Sequence, residues 1–365
     1  MIPRTKVGSR GNMRHLLDIV DLSTQEIEEL ISCARDIQDH PENYCEKLRN
    51  KKVATLFFEP RTRTRLSFEA ATIELGASVI GFQSANASST AKGESIGDTV
   101  RTVSSYADVI VMRHPVEGAP YAAVFDTEVP IINAGDGGHN HPTQTLADLM
   151  TIHCRRGGFS NMTVGLCGDL KYGRTVHSLI RALSRYEGVR FCCISPKELR
   201  LPEYMIEFLR ENRIPYTETE SMEEAMSTLD ILYMTRVQRE RFDDQDEYER
   251  LKDAYILTAA KLVTAKKDMS VLHPLPRVNE IARDVDLDAR AAYFDQVKYG
   301  KYMRMALILF LLQKKNERKD APHYKLISDK CCGNPKCIST KETFLPKYVV
   351  SVKGRARCYY CESQI

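Results

Sequence analysis

The sequence has neither a strong charge imbalance nor a long apolar run, and each absence excludes a class of protein. Its 365 residues include 52 Lys and Arg and 49 Asp and Glu, which leaves a formal net charge of +3. A charge this small, spread along the chain, gives little reason to expect nucleic acid or an anionic membrane as a partner. The longest apolar run, at 305–312, is far shorter than the roughly 20 residues of a membrane span. Because the N-terminus also lacks the apolar segment of a secretory signal, we expect a cytoplasmic protein.

Two common nucleotide-binding signatures are missing as well. The segment from Gly168 to Arg174 could suggest a nucleotide loop, but it lacks the G-x-G-x-x-G pattern. This argues against a dinucleotide site. The Arg-rich turn at 59–65 lacks the Gly-rich segment and the Lys of a Walker loop, so any phosphate bound there is held in another way.

Short apolar runs alternate with longer amphipathic segments, and the runs form two series. Strand-like runs occur at 53–58, 78–82, 108–112 and 129–133, and then at 163–167, 190–194, 230–234 and 269–272. Helical patterns lie between most of them, notably at 64–75, 143–153 and 175–186. Strands that alternate with helices indicate parallel sheets covered on both faces. The sequence therefore predicts an α/β protein with two doubly wound parallel-sheet domains.

The eleven cysteines fall into two groups. In a cytosolic protein we expect six scattered ones to be reduced core residues; they are Cys33, Cys45, Cys154, Cys167, Cys192 and Cys193. The others lie near the C-terminus, where Cys332 and Cys337 are followed by Cys358 and Cys361. Two closely spaced pairs are typical of a four-thiolate tetrahedral zinc site. Cys331 is not expected to be a ligand, although the sequence alone does not separate it from Cys332.

We expect a zinc ion at these four cysteines to be structural, because four thiolates leave no open position for catalysis. About 38 residues cannot bury a sufficient core by themselves, so metal binding would supply folding energy. A redox pair or idle thiols are the alternatives. The small C-terminal domain is thus predicted to be a zinc ribbon.

The predicted domain boundaries follow from these patterns. The first domain spans 1–141 and is completed by an apolar helix at 295–314, and the second spans 142–294. A charged linker at 315–327 leads to the zinc-binding domain at 328–365.

The clearest candidate site is the turn that contains Thr62, Arg63 and Thr64. It follows an apolar strand and opens a helix, whose N-terminus offers backbone N–H groups and the positive end of the helix dipole. Hydroxyl and guanidinium groups add charge-assisted donors. The turn therefore predicts a phosphate site. A solvated basic helix start is the alternative, which the position directly after a strand disfavours.

Other candidate residues also follow predicted strands. Arg113 and His141 could polarise a carbonyl oxygen as negative charge develops on it, whereas a lone His is more often satisfied in a core or on a surface. In the second series, Arg174, Arg236 and Gln238 could hold a small dicarboxylate by paired hydrogen bonds. Ligands of parallel sheets gather where strands end, so we treat these residues as one site. Lys92, with Ser88 upstream, lies in a small-residue loop that alone would be a surface loop.

Taken together and in this order, the motifs resemble the aspartate carbamoyltransferase family over residues 15–314. Carbamoyltransferases share the Thr-Arg-Thr-Arg turn, the Met-Arg-His-Pro segment at 112–115 and the His-Pro-Thr-Gln segment at 141–144. The segments at 168–174, 234–241 and 273–277 are similar to the aspartate enzymes. An ornithine enzyme would carry His-Cys-Leu-Pro where this chain has His273-Pro274-Leu275-Pro276.

This resemblance implies transfer of the carbamoyl group of carbamoyl phosphate to L-aspartate in pyrimidine biosynthesis, with no cofactor for catalysis. It assigns the phosphate to Thr62, Arg63 and Thr64. It assigns the carbamoyl oxygen to Arg113, His141 and Thr64. It implies that Gln144 and the backbone carbonyls of Pro274 and Leu275 hold the carbamoyl amide nitrogen. It implies that Arg174, Arg236 and Gln238 bind the carboxylates of aspartate.

The resemblance also implies an obligatory homotrimer. Ser88 and Lys92 would enter the active site of the neighbouring subunit, where both would bind substrate. Glu59 would tie the two domains together in a closed state through Arg174 and Arg241.

Two departures from the family stand out. The family commonly has Ser at the position of Arg61, which here either adds charge to the phosphate site or contributes only its backbone N–H. The tail resembles the zinc domain of the separate regulatory chain, fused here to the catalytic body without the nucleotide-binding domain. We expect it to act in assembly or stability, docked on a catalytic domain of its own or a neighbouring subunit. A carbamoyltransferase for another amino acid and a silent scaffold subunit are the alternative functions.

Overall fold

The computed structural model describes residues 13–84, 93–237, 244–251, 255–314, 324–326, 331–352 and 355–365. The chain divides into two compact units. The first unit comprises Met1–Thr143 and Lys301–Ile365, and the second comprises Gln144–Gly300.

The first unit is built on a parallel sheet. Its elements are α1 (Thr24–Asp39), β1 (Lys52–Phe57), α2 (Thr62–Glu74), β2 (Ser78–Phe82), α3 (Ile96–Ser104), β3 (Val109–His114), α4 (Ala119–Ala123), β4 (Ile131–Asp136) and the start of α5 (Pro142–Arg156). The strand order is β2-β1-β3-β4. All four predicted strands of this series are confirmed. β3 and β4 run further than their apolar runs, because His114 pairs with Asp136 and both polar side chains are buried.

The second unit has a five-stranded parallel sheet in the order β7-β6-β5-β8-β9. Its elements are β5 (Thr163–Cys167), α6 (Arg174–Leu183), β6 (Arg190–Ile194), α7 (Glu203–Glu211), β7 (Tyr216–Thr219), α8 (Met222–Met226), β8 (Ile231–Met234), α9 (Gln245–Leu251), β9 (Ser270–Leu272) and α10 (Tyr293–Gln313), which continues into the first unit. The four predicted strands are confirmed. β7 was not predicted, because this edge strand is only half-buried and largely polar.

The C-terminal module, residues 324–326, 331–352 and 355–365, forms an antiparallel sheet. It consists of β10 (Tyr324–Leu326), α11 (Ile338–Lys341), β11 (Tyr348–Val352) and β12 (Arg355–Cys358), with the strand order β10-β11-β12. Its buried side chains, including Cys337, Ile338 and Tyr360, join one hydrophobic cluster with Ala119 and Ala122 of α4. The module therefore completes its core against the rest of the first unit.

Main-chain hydrogen bonds fasten the module to the segment before α4. The N–H of Glu117 donates to the carbonyl of Lys336 at 3.0 Å, and the N–H of Ile338 donates to the carbonyl of Glu117 at 2.9 Å. Next to Glu117, Gly118 has φ +79°, and a Cβ there would lie 2.5 Å from the carbonyl oxygen of Tyr360. Only glycine allows this approach, since any larger residue would collide with main-chain atoms of the module.

The expectation of buried core cysteines is correct for only some of the scattered ones. Cys167, Cys192 and Cys193 are buried, Cys33 and Cys154 are half-buried, and Cys45 is exposed. All of them carry free thiols. Among the described helices, none is both long enough and apolar enough to cross a membrane.

Substitution of Gly118 by Ala should destabilise the protein more than a matched substitution elsewhere. Gly157 has φ +78°, so Ala there meets the same backbone strain, but its Cβ would have no described atom within 4 Å. We expect Gly157→Ala to cost about 1 kcal/mol and Gly118→Ala to cost about 1–3 kcal/mol more, because of the collision with Tyr360. Urea unfolding of both variants measures the difference. Equal losses would contradict the described docking of the module.

Candidate active site

The sheet of the first unit changes direction between β1 and β3. From β1 the chain proceeds to β2 on one side, whereas β3 and β4 lie on the other side. Such a reversal opens a crevice at the carboxyl ends of the two central strands, where ligands of α/β proteins bind. The loop at 58–61 and the segment that follows Met112 both lie at this point of the sheet.

The helix α2 begins at this crevice. Its N-cap is Arg61 and its first turn contains Thr62, Arg63 and Thr64. The N–H groups of a first helical turn have no acceptor within the helix, and they carry the positive end of the dipole. The side chains of Thr62 and Arg63 are exposed and that of Thr64 is half-buried. This arrangement can bind an anion.

The two arginines that flank this turn are engaged by nearby carboxylates. Nε of Arg61 donates to Oε1 of Glu59 at 3.2 Å. Nη1 of Arg65 donates to Oε1 of Glu69 at 3.0 Å, one turn further along α2. Arg65 therefore stabilises its own helix, and the guanidinium of Arg61 is turned towards Glu59.

Arg113 is the central cation of the first unit. It is 2% exposed, and it lies near the end of β3. Its Nε donates to Oε1 of Glu59 at 2.9 Å and its Nη1 to the carbonyl of Ala134 at 2.9 Å. The same Nη1 lies 3.1 Å from Nε2 of His141. The structure thus brings together Arg113 and His141, which the sequence predicted at one site.

The charges in this group remain ionised near neutral pH. Burial lowers the pKa of Arg113 to about 10, although Glu59 partly opposes the shift. At that value the guanidinium is still a cation at pH 7. Burial raises the pKa of Glu59, but Arg113 and Arg61 outweigh it and the net shift is downward. A buried positive charge is therefore available to a developing oxyanion.

The end of β4 fits closely against this cation. A Cβ on Gly135, which has φ +119°, would lie 2.6 Å from Nη1 of Arg113. Oδ1 of Asn133 accepts from the N–H of Gly135 at 2.8 Å. Asp136 is fully buried and accepts hydrogen bonds from the N–H groups of Gly118 and Asn140. Asn133 and Asp136 were not assigned roles from the sequence, because an Asp within a Gly-rich run reads as an exposed turn.

The second unit has its own reversal, between β5 and β8. Thr235 joins the two loops that begin there. Its Oγ1 accepts from the N–H of Asp169 at 2.9 Å and donates to the carbonyl of Cys167 at 3.0 Å. Arg174 begins α6 beyond the first loop, and Arg236 directly follows Thr235. The two arginines predicted to hold a dicarboxylate therefore follow neighbouring strands of one sheet.

A buried carboxylate connects two more predicted residues in this unit. Oδ1 of Asp148 accepts from Nε2 of Gln144 at 2.8 Å and from Nε2 of Gln296. Oδ2 accepts from the hydroxyl of Tyr233 at 3.0 Å. Oε1 of Gln296 in turn accepts from the N–H of His273 at 3.0 Å. Gln144 and the segment at 273–275 are thus held by one hydrogen-bond network. In the sequence, the spacing of one helical turn between Gln144 and Asp148 could have indicated their contact.

The backbone at Pro274 and Leu275 is held in an uncommon conformation. Leu275 has φ +48°, which costs free energy for a branched residue and is typical of functional sites. Its N–H donates to Nδ1 of His273 at 2.8 Å, and Nε2 of His273 lies 2.7 Å from Oε1 of Glu280. Burial opposes ionisation of Glu280, but the contact with His273 outweighs it and lowers the pKa of this carboxyl.

The C-terminal module brings together the four cysteines predicted as metal ligands. The sulfur atoms of Cys332, Cys337, Cys358 and Cys361 all lie within 4.8 Å of one another. Cys332 and Cys361 are 3.5 Å apart, and Cys337 and Cys358 are 3.8 Å apart. Four thiolates about 2.3 Å from a central ion would be about 3.8 Å apart, so the residues fit a tetrahedral metal ion. Cys331 is exposed and lies outside the group.

Hydrogen bonds in this cluster favour the thiolate of Cys361 over those of Cys337 and Cys332, whose pKa values are raised. Hydrogen bonds from Cys337 and Cys358 lower the pKa of Cys361 far below its usual value. The hydroxyls of Ser339 and Ser363 lie 3.2 Å from Sγ of Cys337 and 3.3 Å from Sγ of Cys361. Hydroxyl groups at such distances orient metal-binding thiolates.

Four predicted site residues lie outside the described residues. They are Ser88, Lys92, Gln238 and Arg241.

Comparison with known proteins gives extensive matches. The carbamoyl-P binding domain of the aspartate/ornithine carbamoyltransferases matches residues 14–154, and their Asp/Orn binding domain matches residues 160–311. The aspartate carbamoyltransferase catalytic subunit of Clostridium botulinum (strain Okra / Type B1) is 59% identical over 300 residues, and that of Lachnoclostridium phytofermentans is 58% identical over 301. Each alignment covers 82% of this chain and 98% of the relative.

Among solved structures, aspartate transcarbamoylases are also similar to this chain. The catalytic subunit of M. jannaschii aspartate transcarbamoylase is 47% identical with a TM-score of 0.77, over 82% of this chain and 98% of that one. Aspartate transcarbamoylase from Trypanosoma cruzi in complex with carbamoyl phosphate and aspartate is 39% identical with a TM-score of 0.77, over 81% of this chain and 96% of that one. The two family domains end at residue 311, before the C-terminal module begins.

Removal of the Asp148 carboxylate should destabilise the second unit. Asp148→Ala leaves the donors of Gln144, Gln296 and Tyr233 without this acceptor, and we expect a loss of at least about 2 kcal/mol. Gln144→Ala is the matched control, because it removes one donor from the same network, and it should cost less than about 1.5 kcal/mol. Urea unfolding at constant m-value measures both. A loss for Asp148→Ala no larger than that of the control would contradict the role of Asp148 as a shared acceptor.

Proposed function

This chain belongs to the aspartate carbamoyltransferase family, and from this premise we propose how its residues perform the reaction. The enzyme transfers the carbamoyl group of carbamoyl phosphate to the amine of L-aspartate, giving N-carbamoyl-L-aspartate and phosphate. The observation that carries the assignment is the buried Arg113, in contact with His141 at the sheet reversal where α2 also begins. An anion-binding helix end and a buried cation for a carbonyl oxygen are the two features that carbamoyl phosphate requires.

The phosphate group is assigned to the first turn of α2. Thr62, Arg63 and Thr64 supply hydroxyl, guanidinium and backbone N–H donors. Arg61 contributes through its backbone N–H, because its guanidinium is already bound to Glu59. The charge that Arg61 adds is therefore directed at Glu59 and away from the phosphate.

The carbamoyl group is assigned to Arg113, His141 and Thr64, which polarise its oxygen. Gln144 and the backbone carbonyls of Pro274 and Leu275 hold its amide nitrogen. The amine of L-aspartate attacks the carbamoyl carbon, and a tetrahedral oxyanion forms against Arg113 and His141. The carbon–oxygen bond to phosphate then breaks, and the departing phosphate takes the amine proton. Orientation of the two substrates and stabilisation of the oxyanion supply the catalysis.

L-Aspartate is assigned to Arg174, Arg236 and Gln238, together with Lys92. Two guanidinium groups suit a dicarboxylate, and they repel the cationic side chain of ornithine. In a closed state Glu59 would bind Arg174 and Arg241. Since Glu59 accepts from Arg61 and Arg113 in the described structure, closure would require this carboxylate to exchange partners.

We also propose a homotrimer in which Ser88 and Lys92 complete the neighbouring active site. Cys332, Cys337, Cys358 and Cys361 bind one structural Zn²⁺ that joins the loops of the C-terminal module. The first domain, 1–141 with the helix at 295–314, binds carbamoyl phosphate, and the second, 142–294, binds aspartate. The free thiols agree with a reducing compartment such as the cytoplasm.

Arg113→Ala should abolish most of the activity. Removal of one oxyanion donor costs about 100- to 1000-fold in kcat, whereas Arg61→Ser should raise the KM for carbamoyl phosphate by less than about tenfold. Both substitutions remove an arginine from Glu59, so the comparison isolates the contact with the carbamoyl oxygen. Formation of carbamoyl aspartate is measured, with L-ornithine as the competing acceptor. Faster carbamoylation of ornithine, or full activity of Arg113→Ala, would refute the assignment.

Metal removal should destabilise the assembled protein. We expect one zinc per chain by metal analysis, and a lower melting temperature after chelation, because metal binding contributes directly to the folding of such modules. Cys332→Ser should lose the metal, and Cys331→Ser, at the adjacent exposed position, should keep it.

The native mass of the protein should correspond to a trimer or a multiple of a trimer. An unchanged mass and melting curve after verified zinc removal would contradict the structural role.

A further inference from the structure

A buried histidine lies between a carboxylate at the end of β4 and a carboxylate of the C-terminal module. Nδ1 of His139 is 2.9 Å from Oδ2 of Asp136, and Nε2 is 3.9 Å from Oε2 of Glu362. The side chain of His139 is 9% exposed, and that of Asp136 is fully buried. The ring of Tyr121 lies against the imidazole, with centroids 5.7 Å apart.

Nδ1 of His139 is within hydrogen-bond distance of Asp136, whereas Nε2 lies at ion-pair distance from Glu362 and 3.4 Å from Nδ2 of Asn140. Burial by itself lowers the pKa of His139, but Asp136 and then Glu362 outweigh it and raise the pKa well above its usual value. The imidazolium is therefore hydrogen-bonded to Asp136 and ion-paired with Glu362 across the boundary of the module.

Asp136 extends this contact into the loop of the candidate active site. Its Oδ1 accepts from Nδ2 of Asn133 and from the N–H of Asn140, both at 3.0 Å. Oδ1 of Asn133 in turn accepts from the N–H of Gly135. Gly135 packs against Nη1 of Arg113, and Asn140 directly precedes His141 in the chain. The carboxylate thus holds both ends of the loop that brings His141 to Arg113.

The module reaches the same carboxylate by a second path. Oδ2 of Asp136 also accepts from the N–H of Gly118 at 2.9 Å. Gly118 is the residue that packs against the main chain of Tyr360. Two independent contacts of the C-terminal module, through Glu362 and through Tyr360, therefore converge on Oδ2 of Asp136.

We propose that His139 is a positioning residue through which the C-terminal module holds the active-site loop at 133–141 in place. This inference rests on the proposed function, in which Arg113 and His141 stabilise the oxyanion. Displacement of such groups by a fraction of an ångström weakens contacts that exist in the transition state, while the ground-state binding of substrate changes less. The module thereby contributes to the chemical step as well as to stability.

The test compares variants of the full-length, metal-loaded chain. Glu362→Ala should lower kcat about tenfold and change KM by less than about threefold, and Glu362→Gln should recover part of the loss because an acceptor remains. His139→Ala should lower kcat at least as much. The double variant should lose no more than His139→Ala alone, since both changes interrupt one path.

Asn334→Ala is the matched control. It removes another contact between the module and the rest of the first unit, the 2.7 Å hydrogen bond from Nδ2 of Asn334 to Glu117, without touching His139. We expect a lower melting temperature and a kcat within about twofold of the unsubstituted chain. If Glu362→Ala also lowers only the melting temperature, or if the effects of Glu362→Ala and His139→Ala on kcat are independent and additive, the inference is overturned.

A second measurement separates this inference from the proposed function. Hydrogen exchange of peptides that cover residues 133–141 needs no turnover. Faster exchange in Glu362→Ala than in Asn334→Ala would support the inference, and equal exchange would overturn it. An unsubstituted chain that does not carbamoylate L-aspartate would refute the proposed function by itself.

Discussion

A buried guanidinium organises the first unit. A charge removed from water is tolerated only where acceptors surround it, and Arg113 has acceptors at the ends of two other strands. Glu59 follows β1, and the carbonyl of Ala134 lies near the end of β4. One side chain therefore fixes the relative positions of three strand ends. The absence of a side chain at Gly135 is a direct consequence, because the backbone must approach the guanidinium closely.

In the second unit, buried uncharged and acidic side chains, not a buried cation, hold the loops at the strand ends together. Thr235 accepts one hydrogen bond and donates another, whereas Asp148 accepts three, so each short buried side chain joins several partners at once. Thr235 joins the loops that lead to Arg174 and Arg236, whereas Asp148 joins Gln144 to the segment after β9. In both units the residues assigned to substrates lie at or just after the carboxyl ends of the parallel strands. Buried polar groups behind them determine where those residues point.

The C-terminal module shares its core with the body of the protein. Its cysteines and tyrosines pack against α4, and Gly118, directly before that helix, leaves room for the main chain of the module. A ligand that binds only the folded module must therefore also stabilise the first unit. The same segment leads to Asp136, so the docking of the module and the geometry at the end of β4 depend on neighbouring contacts.

The positions of eight strands and their parallel arrangement were predictable from the sequence, because the apolar pattern of each strand lies within a few neighbouring residues. The grouping of the four cysteines was predictable from their paired spacing. β7 escaped prediction because its half-exposed edge position removes the apolar pattern. The buried acceptors Asp136, Asp148 and Glu280 also escaped, since in sequence an acidic residue is first expected in water. The sequence by itself determined which groups could bind anions, carboxylates and a metal. Only the tertiary structure decided which acceptor each buried donor meets, because partners such as Glu59 and Arg113 are 54 residues apart in the chain and adjacent only in the folded sheet.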